Sequence, residues 1–560
     1  MNLHFNEVRY ILKKCHFLKI RWALYTLLYY IGALLTTALD GISLIVLLDL
    51  IIHGFDGNTD SVYLQAIVAG LKELSIEPTF LSIYWVIIGG FFAKSLMSWF
   101  VSAFEGSFLA IARRNIQNQA FDSALQGDWE ILRTMVVGQY VGTITEEATN
   151  TAKFFLAFIR AIYGAIGLSF YLFLACSISI QATLIMAFVG LPCLLLLRYI
   201  FKVQAGFSDK FVIERQAFYS DITERLHSLF QIKVEGSIDY HVEKGLQHQN
   251  KMTNHEFAVA YLQAAVSSFN GFMPAIVLAA FSLLAYWTGA SLTNFTYILA
   301  GMGVIGSRIL SQANIFAANY GNMVTFSASI APVYKVLAIS RAFHKELIQK
   351  KIHTVRLSEV EYAFSNSSLI PYPNLTLNIG RPFFIFGASG SGKTTLANLI
   401  SGVYNPSQGE IFYIDENNRE YSSFRYKPKV GYVTQDIQLF RGSIRENLLS
   451  YNEHADDDML WKYLQQAGAE VFIKNLGGLD ALISESGRSL SGGERRRLGI
   501  ARVLAAEPDV LLLDEVTVGL DHEKKAELLV TIDKLAEELV VVVITHDAME
   551  IDNDYIIMGK

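Results

Sequence analysis

The sequence predicts two parts of different kind: an all-α membrane domain of six spanning helices over residues 1–345, then an α/β domain built round a phosphate-binding loop over residues 346–560. Three observations carry this. Six apolar runs, each longer than the ~20 residues a helix needs to cross a ~30 Å hydrocarbon core, are all spent before residue 340. Beyond them short β-rich runs alternate with helical ones, and one run opens into a glycine-rich loop. The charge also changes sign, from 24 Lys+Arg against 21 Asp+Glu over 1–345 to 22 against 31 over 346–560. The 560 residues are 52% hydrophobic and only 18% charged, which excludes a disordered chain, a collagen and a disulfide scaffold. Neither part has the basic stripe of a nucleic-acid binder. Cys15, Cys176 and Cys193 read as buried or lipid-facing thiols, two of them lying in apolar runs.

The runs cover about 22–53, 80–104, 154–176, 178–201, 266–290 and 294–316. Lys and Arg sort by side. Arg9, Lys13, Lys14, Lys19 and Arg21 precede the first run, whereas the 54–79 connection holds only Lys72. Arg113, Arg114 and Arg133 follow the second run, seven cations from Lys202 to Lys251 follow the fourth, and Arg341, Lys345, Lys350 and Lys351 follow the sixth. The positive-inside rule then places both termini in the cytoplasm of a multi-pass membrane protein, and the first run reads as a retained span. The lack of a signal or transit peptide suits a bacterial inner membrane. Two cytoplasmic connections, 105–153 and 202–265, are polar and helically patterned, and read as helical arms that contact the soluble half.

In the second part, Phe383–Phe386 form a buried-strand run that ends in Gly387-Ala-Ser-Gly-Ser-Gly392-Lys393-Thr394-Thr395, with a helical run behind it. This is G-x-x-x-x-G-K-[ST] in its strand–loop–helix context. Gly387, Gly390 and Gly392 let backbone N–H groups curl around phosphate oxygens, together with Ser389 and Ser391. Lys393 brings a charge to the β/γ-phosphates, and the Thr394 hydroxyl suits Mg²⁺. Later, Val510–Leu513 form an apolar strand ending in Asp514-Glu515, carboxylates fit to hold the Mg²⁺ shell and to polarise an attacking water.

Between these two sites lies Leu490-Ser491-Gly492-Gly493-Glu494. With it the set resembles the ATP-binding cassette (ABC) transporter family. Gln435 in Gly431-Tyr-Val-Thr-Gln435 resembles the family's Q-loop glutamine, Gly519-Leu520-Asp521 its D-loop, His546 its switch histidine, and Phe364 its adenine-stacking aromatic. The first part resembles the six-helix half of an ABC exporter, with coupling helices near Trp129–Val137 and Gln231–Tyr240 at the tips of the arms and Glu485-Ser-Gly487 resembling the loop that touches them. The resemblance implies an exporter-type membrane domain, a nucleotide-binding domain with a helical subdomain, and ATP and Mg²⁺ as cofactors. It implies that two cassettes face head to tail, with ATP between the loop 387–395 of one copy and Ser491, Gly492 and Gly493 of the other. Glu515 then serves as general base, His546 contacts the γ-phosphate, and Thr394, Gln435 and Asp514 serve the metal. A second copy of the chain is the expected partner, with a heterodimer as the alternative. The function implied is ATP-driven export or flipping of an amphipathic substrate (lipid, lipid-linked saccharide, peptide or drug-like molecule); an ATP-gated channel or regulatory ATPase is the competing reading. Glu494 stands where Gln is commoner in the family, and Phe364 where Tyr is commoner.

Ionisable groups inside spans are costly and point to function. Lys94, Arg160 and Arg308 fall near mid-membrane, and Asp40 lies toward the outer side. Two readings stand: Asp40 pairs with a cation to fix helix packing, or the four line a net-positive substrate cavity for an anionic amphipath.

Overall fold

The computed structural model describes residues 5–15, 17, 20–53, 62–73, 75–127, 129–132, 135–178, 180–288, 292–339, 345–363, 369–388, 390–435, 437–450, 452–483, 490–517, 522–546 and 554–558. The chain divides into two compact units, Met1–Arg341 and Ala342–Lys560.

The first unit is helical. In order it holds α1 (Phe5–Lys14), α2 (Ile20–His53), α3 (Val62–Glu73), α4 (Phe80–Gln126), α5 (Trp129–Leu132), α6 (Val137–Gly142), α7 (Ala148–Ile178), α8 (Ile180–His227), α9 (Leu229–Glu235), α10 (Ile238–Thr288), α11 (Leu292–Ser327) and α12 (Ile330–Ala338). Each of the six apolar runs lies within, or ends beside, one of the six long helices α2, α4, α7, α8, α10 and α11. Among the described residues, Trp22–Leu44, Phe80–Gln126 and Val137–Ser177 are long and apolar enough to cross a membrane. Side chains such as Trp85, Phe92, Trp99 and Phe173 point outward with 61–70% exposure, as lipid-facing residues do.

Local chemistry sets the helix ends. Thr79 caps α4 in a reciprocal capping box with Ser82. Gly236 at φ 69° stops α9 in the left-handed conformation, so the second tip helix ends at Glu235, and Ile238–Tyr240, expected to belong to it, are the first turn of α10. At the other tip the helix is α5, Trp129–Leu132, with Arg133 outside the described residues. The connection between the first two spans carries a helix of its own, α3, whose Leu71 is buried with Val46, Ile83 and Ile87.

Between α6 and α7 the chain runs through one π-helical turn, Thr143–Glu147. Glu147 is buried there, and Arg215 of α8 binds both its oxygens, at 3.1 and 2.7 Å. Small residues permit the close crossings: a Cβ on Gly138 would lie 2.4 Å from the Tyr219 carbonyl, and one on Gly164 would lie 2.8 Å from the Phe316 nitrogen. The amphipathic α1 packs on α12, with Tyr10 donating to the Leu337 carbonyl at 3.1 Å and the Lys14 ammonium bonding the same carbonyl.

The second unit holds β1 (Glu346–Leu347), β2 (Ile352–Tyr362), β3 (Ile370–Pro371), β4 (Leu375–Asn378), β5 (Phe383–Gly387), α13 (Lys393–Ile400), β6 (Gln408–Asp415), β7 (Glu420–Ser422), β8 (Tyr426–Lys427), β9 (Val430–Val433), β10 (Gly442–Ser443), α14 (Ile444–Leu449), α15 (Asp457–Gln466), α16 (Glu470–Leu476), β11 (Leu482–Ile483), α17 (Gly492–Leu504), β12 (Val510–Asp514), α18 (His522–Ala536), β13 (Val540–Thr545) and β14 (Tyr555–Met558). A parallel sheet in the order β14-β5-β13-β12-β9 forms its centre. Its middle strands β12 and β13 are buried along their whole length, so they read as unbroken apolar runs. An antiparallel sheet, β3-β2-β6-β7 with β4 on β2, shares one core with α13 and one face of the parallel sheet. The other face packs on α14–α17. Loops that leave the carboxyl ends of β5, β9, β12 and β13 therefore gather at one edge.

Candidate functional site

The phosphate loop leaves β5 at Gly387 and enters α13 at Lys393. Gly390 and Gly392 hold φ of 82° and 93°, which side chains with a Cβ resist, and the loop's curl depends on them. Lys393 is buried, and its ammonium donates to the Gly387 and Ala388 carbonyls at 2.7 and 2.9 Å, which ties the charge to the loop it serves. Ser391 and Thr395 belong to the same loop and first helical turn; Ser389 lies outside the described residues.

Thr394 donates to Asp514 Oδ2 at 3.4 Å, and Tyr432 of β9 donates to the same oxygen at 3.2 Å. Burial pushes the Asp514 carboxyl above its usual range; the Tyr432 hydrogen bond opposes that and the neighbouring Glu515 charge adds to it. A buried carboxylate beside a hydroxyl is a hard-oxygen donor set of the kind Mg²⁺ takes, so these residues fit that ion. Glu515 follows at φ 53°, in the left-handed region, with its N–H tied to the Ile544 carbonyl at 2.9 Å. Gln435 donates to one Glu515 oxygen at 2.6 Å, and His546 Nδ1 lies 3.4 Å from the other. Residues from the ends of β9, β12 and β13 thus converge on one carboxylate.

Ser491 caps α17. Its hydroxyl accepts from the Glu494 N–H at 3.3 Å, and the Glu494 carboxylate accepts from the Ser491 N–H at 2.8 Å. That backbone bond holds the Glu494 carboxyl below its usual range. Glu at this position therefore completes a capping box. Ser491 and Gly492 are exposed and Gly493 half-buried, and among the described residues no hydrogen bond joins them to the loop cluster. Phe364, Asp521 and the segment Glu485–Gly487 lie outside the described residues.

In the helical unit, the three cations expected near mid-membrane, Lys94, Arg160 and Arg308, each face a carboxylate. Lys94 pairs with Asp40, Arg308 Nε lies 3.1 Å from Asp40 Oδ2, and Arg160 meets Glu105 at 2.7 Å. Tyr171 donates to Asp40 and Tyr29 to Glu105, both at 2.7 Å. Asp40 is buried, and its partners stand on α4, α7 and α11. Of the two readings of these charges, this arrangement favours helix packing. Sequence reasoning missed Glu105 and Tyr171, which sit at a span edge or among apolar residues and declare themselves only through a partner; it took Tyr29 as an aromatic able to line a cavity and did not foresee its bond to Glu105. It quoted Tyr432 within a motif without assigning it a contact.

Comparison with known proteins adds the following. Residues 372–518 match the family model described as ABC transporter. A putative export ATP-binding/permease protein of Rickettsia conorii is 25% identical over 89% of this chain and 88% of its own length. The glutathione/L-cysteine transport system ATP-binding/permease protein CydC of Haemophilus influenzae is 24% identical over 72% of this chain and 70% of its own length. The structure of a bacterial Atm1-family ABC exporter with ATP bound superposes with a TM-score of 0.75 at 17% identity, over 96% of this chain and 93% of that one.

Proposed function

We propose, on the premise that the chain is an exporter-type ATP-binding cassette transporter, a helical membrane part fused to an ATP-hydrolysing cassette that uses ATP and Mg²⁺, that it is a homodimeric primary active transporter that exports or flips an amphipathic substrate across a bacterial cytoplasmic membrane, with both termini in the cytoplasm. The observation that carries the reading is the convergence of Gln435 and His546 on Glu515 beside the Thr394–Asp514 pair.

Each residue acts from its place. Gly390, Gly392 and the start of α13 cradle the phosphates, and Lys393 neutralises the β/γ oxygens. Thr394, Asp514 and Gln435 would hold Mg²⁺, which would offset phosphate charge. Glu515 takes the proton of the attacking water; Gln435 and His546 orient its two oxygens, and His546 also meets the γ-phosphate. At the start of α17 the Gly492 and Gly493 N–H groups and the Ser491 hydroxyl, whose proton the capping box leaves unused, serve as donors to ATP held by a second copy. Two such contacts close a clamp that hydrolysis releases. Phe364 and Asp521 complete the nucleotide contacts in this reading. Asp40, Lys94, Arg160 and Arg308 set the packing of the spans.

The competing reading, an ATP-gated channel or regulator with little turnover, is weakened by the presence of both Glu515 and His546. The test is native mass spectrometry together with ATPase assays on the protein in lipid nanodiscs. Twice the chain mass and Mg²⁺-dependent hydrolysis lost in Glu515→Gln support the proposal. A single-chain mass, or turnover unchanged in that variant, overturns it.

A further inference from the structure

Strand β9 lies beside β12 with Tyr432 opposite Leu512. Partners across a parallel pair point to one face of the sheet, and so does the residue two positions further along either strand. Tyr432 and Leu512 belong to the core that includes α13, whereas Val433, Leu511 and Leu513 belong to the core on the other face. Asp514, two residues after Leu512, therefore emerges on the α13 face, where a side chain as long as tyrosine on the neighbouring strand can reach it. Tyr432 does so: its hydroxyl donates to Asp514 Oδ2 at 3.2 Å. Three residues on, Gln435 donates to Glu515 at 2.6 Å. β9 and the loop after it thus supply one donor to each of the two consecutive carboxylates.

Asp514 is buried, and a buried carboxylate needs donors. Thr394 and Tyr432 both donate to its Oδ2, Thr394 at the longer distance of 3.4 Å. The Thr394 hydroxyl belongs to the donor set that fits Mg²⁺. Tyr432 stands outside that set: a neutral phenol keeps its proton for the carboxylate and has no metal to serve. A carboxylate held through one oxygen, at the end of a strand buried along its whole length, keeps a fixed plane, and its other oxygen keeps lone pairs for a cation. Partners of this kind, one step removed from the ion, orient the groups that bind it. The Tyr432 ring also packs against the core, a separate contribution that Phe at this position would retain.

We propose that Tyr432 is a positioning residue of the metal site: its hydroxyl fixes the Asp514 carboxylate through Oδ2 and thereby sets the affinity of the nucleotide-loaded cassette for its divalent cation. The inference rests on the assignment of Asp514 to Mg²⁺. It gives β9 two tasks, one toward the metal carboxylate through Tyr432 and one toward the proposed general base through Gln435. Loss of the hydroxyl therefore shows in the metal dependence, whereas loss of Gln435 shows in turnover.

The test uses the full chain in lipid nanodiscs, loaded with a non-hydrolysable imido analogue of ATP and freed of excess nucleotide. Mn²⁺ is the probe, its binding followed by electron paramagnetic resonance, with analogue binding in EDTA as the control for an intact nucleotide site. Tyr432→Phe is expected to weaken Mn²⁺ binding by about 10–100-fold, the range found when such outer partners are removed, and to leave analogue binding in EDTA unchanged. In hydrolysis assays the Mg²⁺ concentration for half-maximal rate rises in step, while the rate at saturating Mg²⁺ falls far less. Should Tyr432→Phe fail to fold, 4-fluorophenylalanine at position 432 fills the space of the hydroxyl without its proton and is read in the same way. Mn²⁺ binding that is unchanged or tighter in these variants overturns the proposal, and a lower metal-free melting temperature as the sole effect assigns Tyr432 to packing and overturns it too. Asp514→Asn separates this failure from that of the underlying assignment: if Asp514→Asn leaves Mn²⁺ binding intact, Asp514 is not the metal carboxylate; if it abolishes binding and the Tyr432 variants do not weaken it, the positioning role alone fails.

Discussion

Gln435 and Glu515, 80 residues apart in sequence, are joined by a 2.6 Å hydrogen bond from the glutamine amide to Glu515 Oε2. The bond crosses from the loop after β9 to the turn after β12, two strands that are neighbours in the parallel sheet. It orients the carboxylate proposed as general base. Removing that base in Glu515→Gln is expected to lower steady-state hydrolysis by about 10²–10⁴-fold while ATP stays bound. Gln435→Ala keeps the base and loses its orientation, so kcat falls less, with a small change in ATP affinity. Phosphate release and equilibrium nucleotide binding, measured on the same preparations, separate the two effects.

Lys393→Ala removes a buried ammonium from the phosphate loop. Loss of a charge-assisted hydrogen bond of about 1.5–3 kcal/mol corresponds to roughly 10–100-fold weaker ATP binding. Binding of a fluorescent ATP analogue measures it. Chelating Mg²⁺ with EDTA is expected to stop turnover in the unmodified protein and to be reversed by added Mg²⁺.

Gly392→Ala forces a Cβ onto a residue at φ 93°, 3.1 Å from the Tyr372 hydroxyl. The strain is about 1–3 kcal/mol. Thermal melting of the cassette is expected to shift down, and bound ATP is expected to recover less of that loss than it adds to the unmodified protein.

The Arg215–Glu147 pair is buried on both sides. Arg215→Met leaves the Glu147 carboxylate without its partner at a cost of about 3–5 kcal/mol, whereas Arg215→Met with Glu147→Leu regains much of it. Detergent-solubilised melting curves of the two single variants and the double variant give the coupling.

Asp40→Asn withdraws the carboxylate that faces Lys94 and Arg308 at once. If these charges hold α2, α4 and α11 together, the variant melts earlier and Lys94→Met in the same background restores part of the loss. A cavity role for Asp40 predicts instead unchanged melting and altered substrate-stimulated hydrolysis.

The cassette was legible because its chemistry is local in sequence. Gly387–Thr395, Ser491–Gly493 and Asp514-Glu515 each pack their donors within a few residues at a strand or helix end, and a spacing rule finds them. Long helices were legible because the apolar runs that lipid demands are helical. Helix ends were harder: the stop at Gly236 depends on one left-handed residue, and the expectation overran into α10.

By itself the sequence determined the change from long apolar helices to a β-rich cassette and placed the phosphate-loop, carboxylate and histidine groups proposed for the site, since hydropathy and backbone spacing are properties of neighbouring residues. The partners of those groups belonged to the tertiary structure. Tyr432 reaches Asp514 only because β9 lies beside β12 in register, and Glu105 meets Arg160 only because α4 crosses α7. Such contacts join residues tens of positions apart. No local pattern encodes which carboxylate answers which cation until the helices and strands have packed.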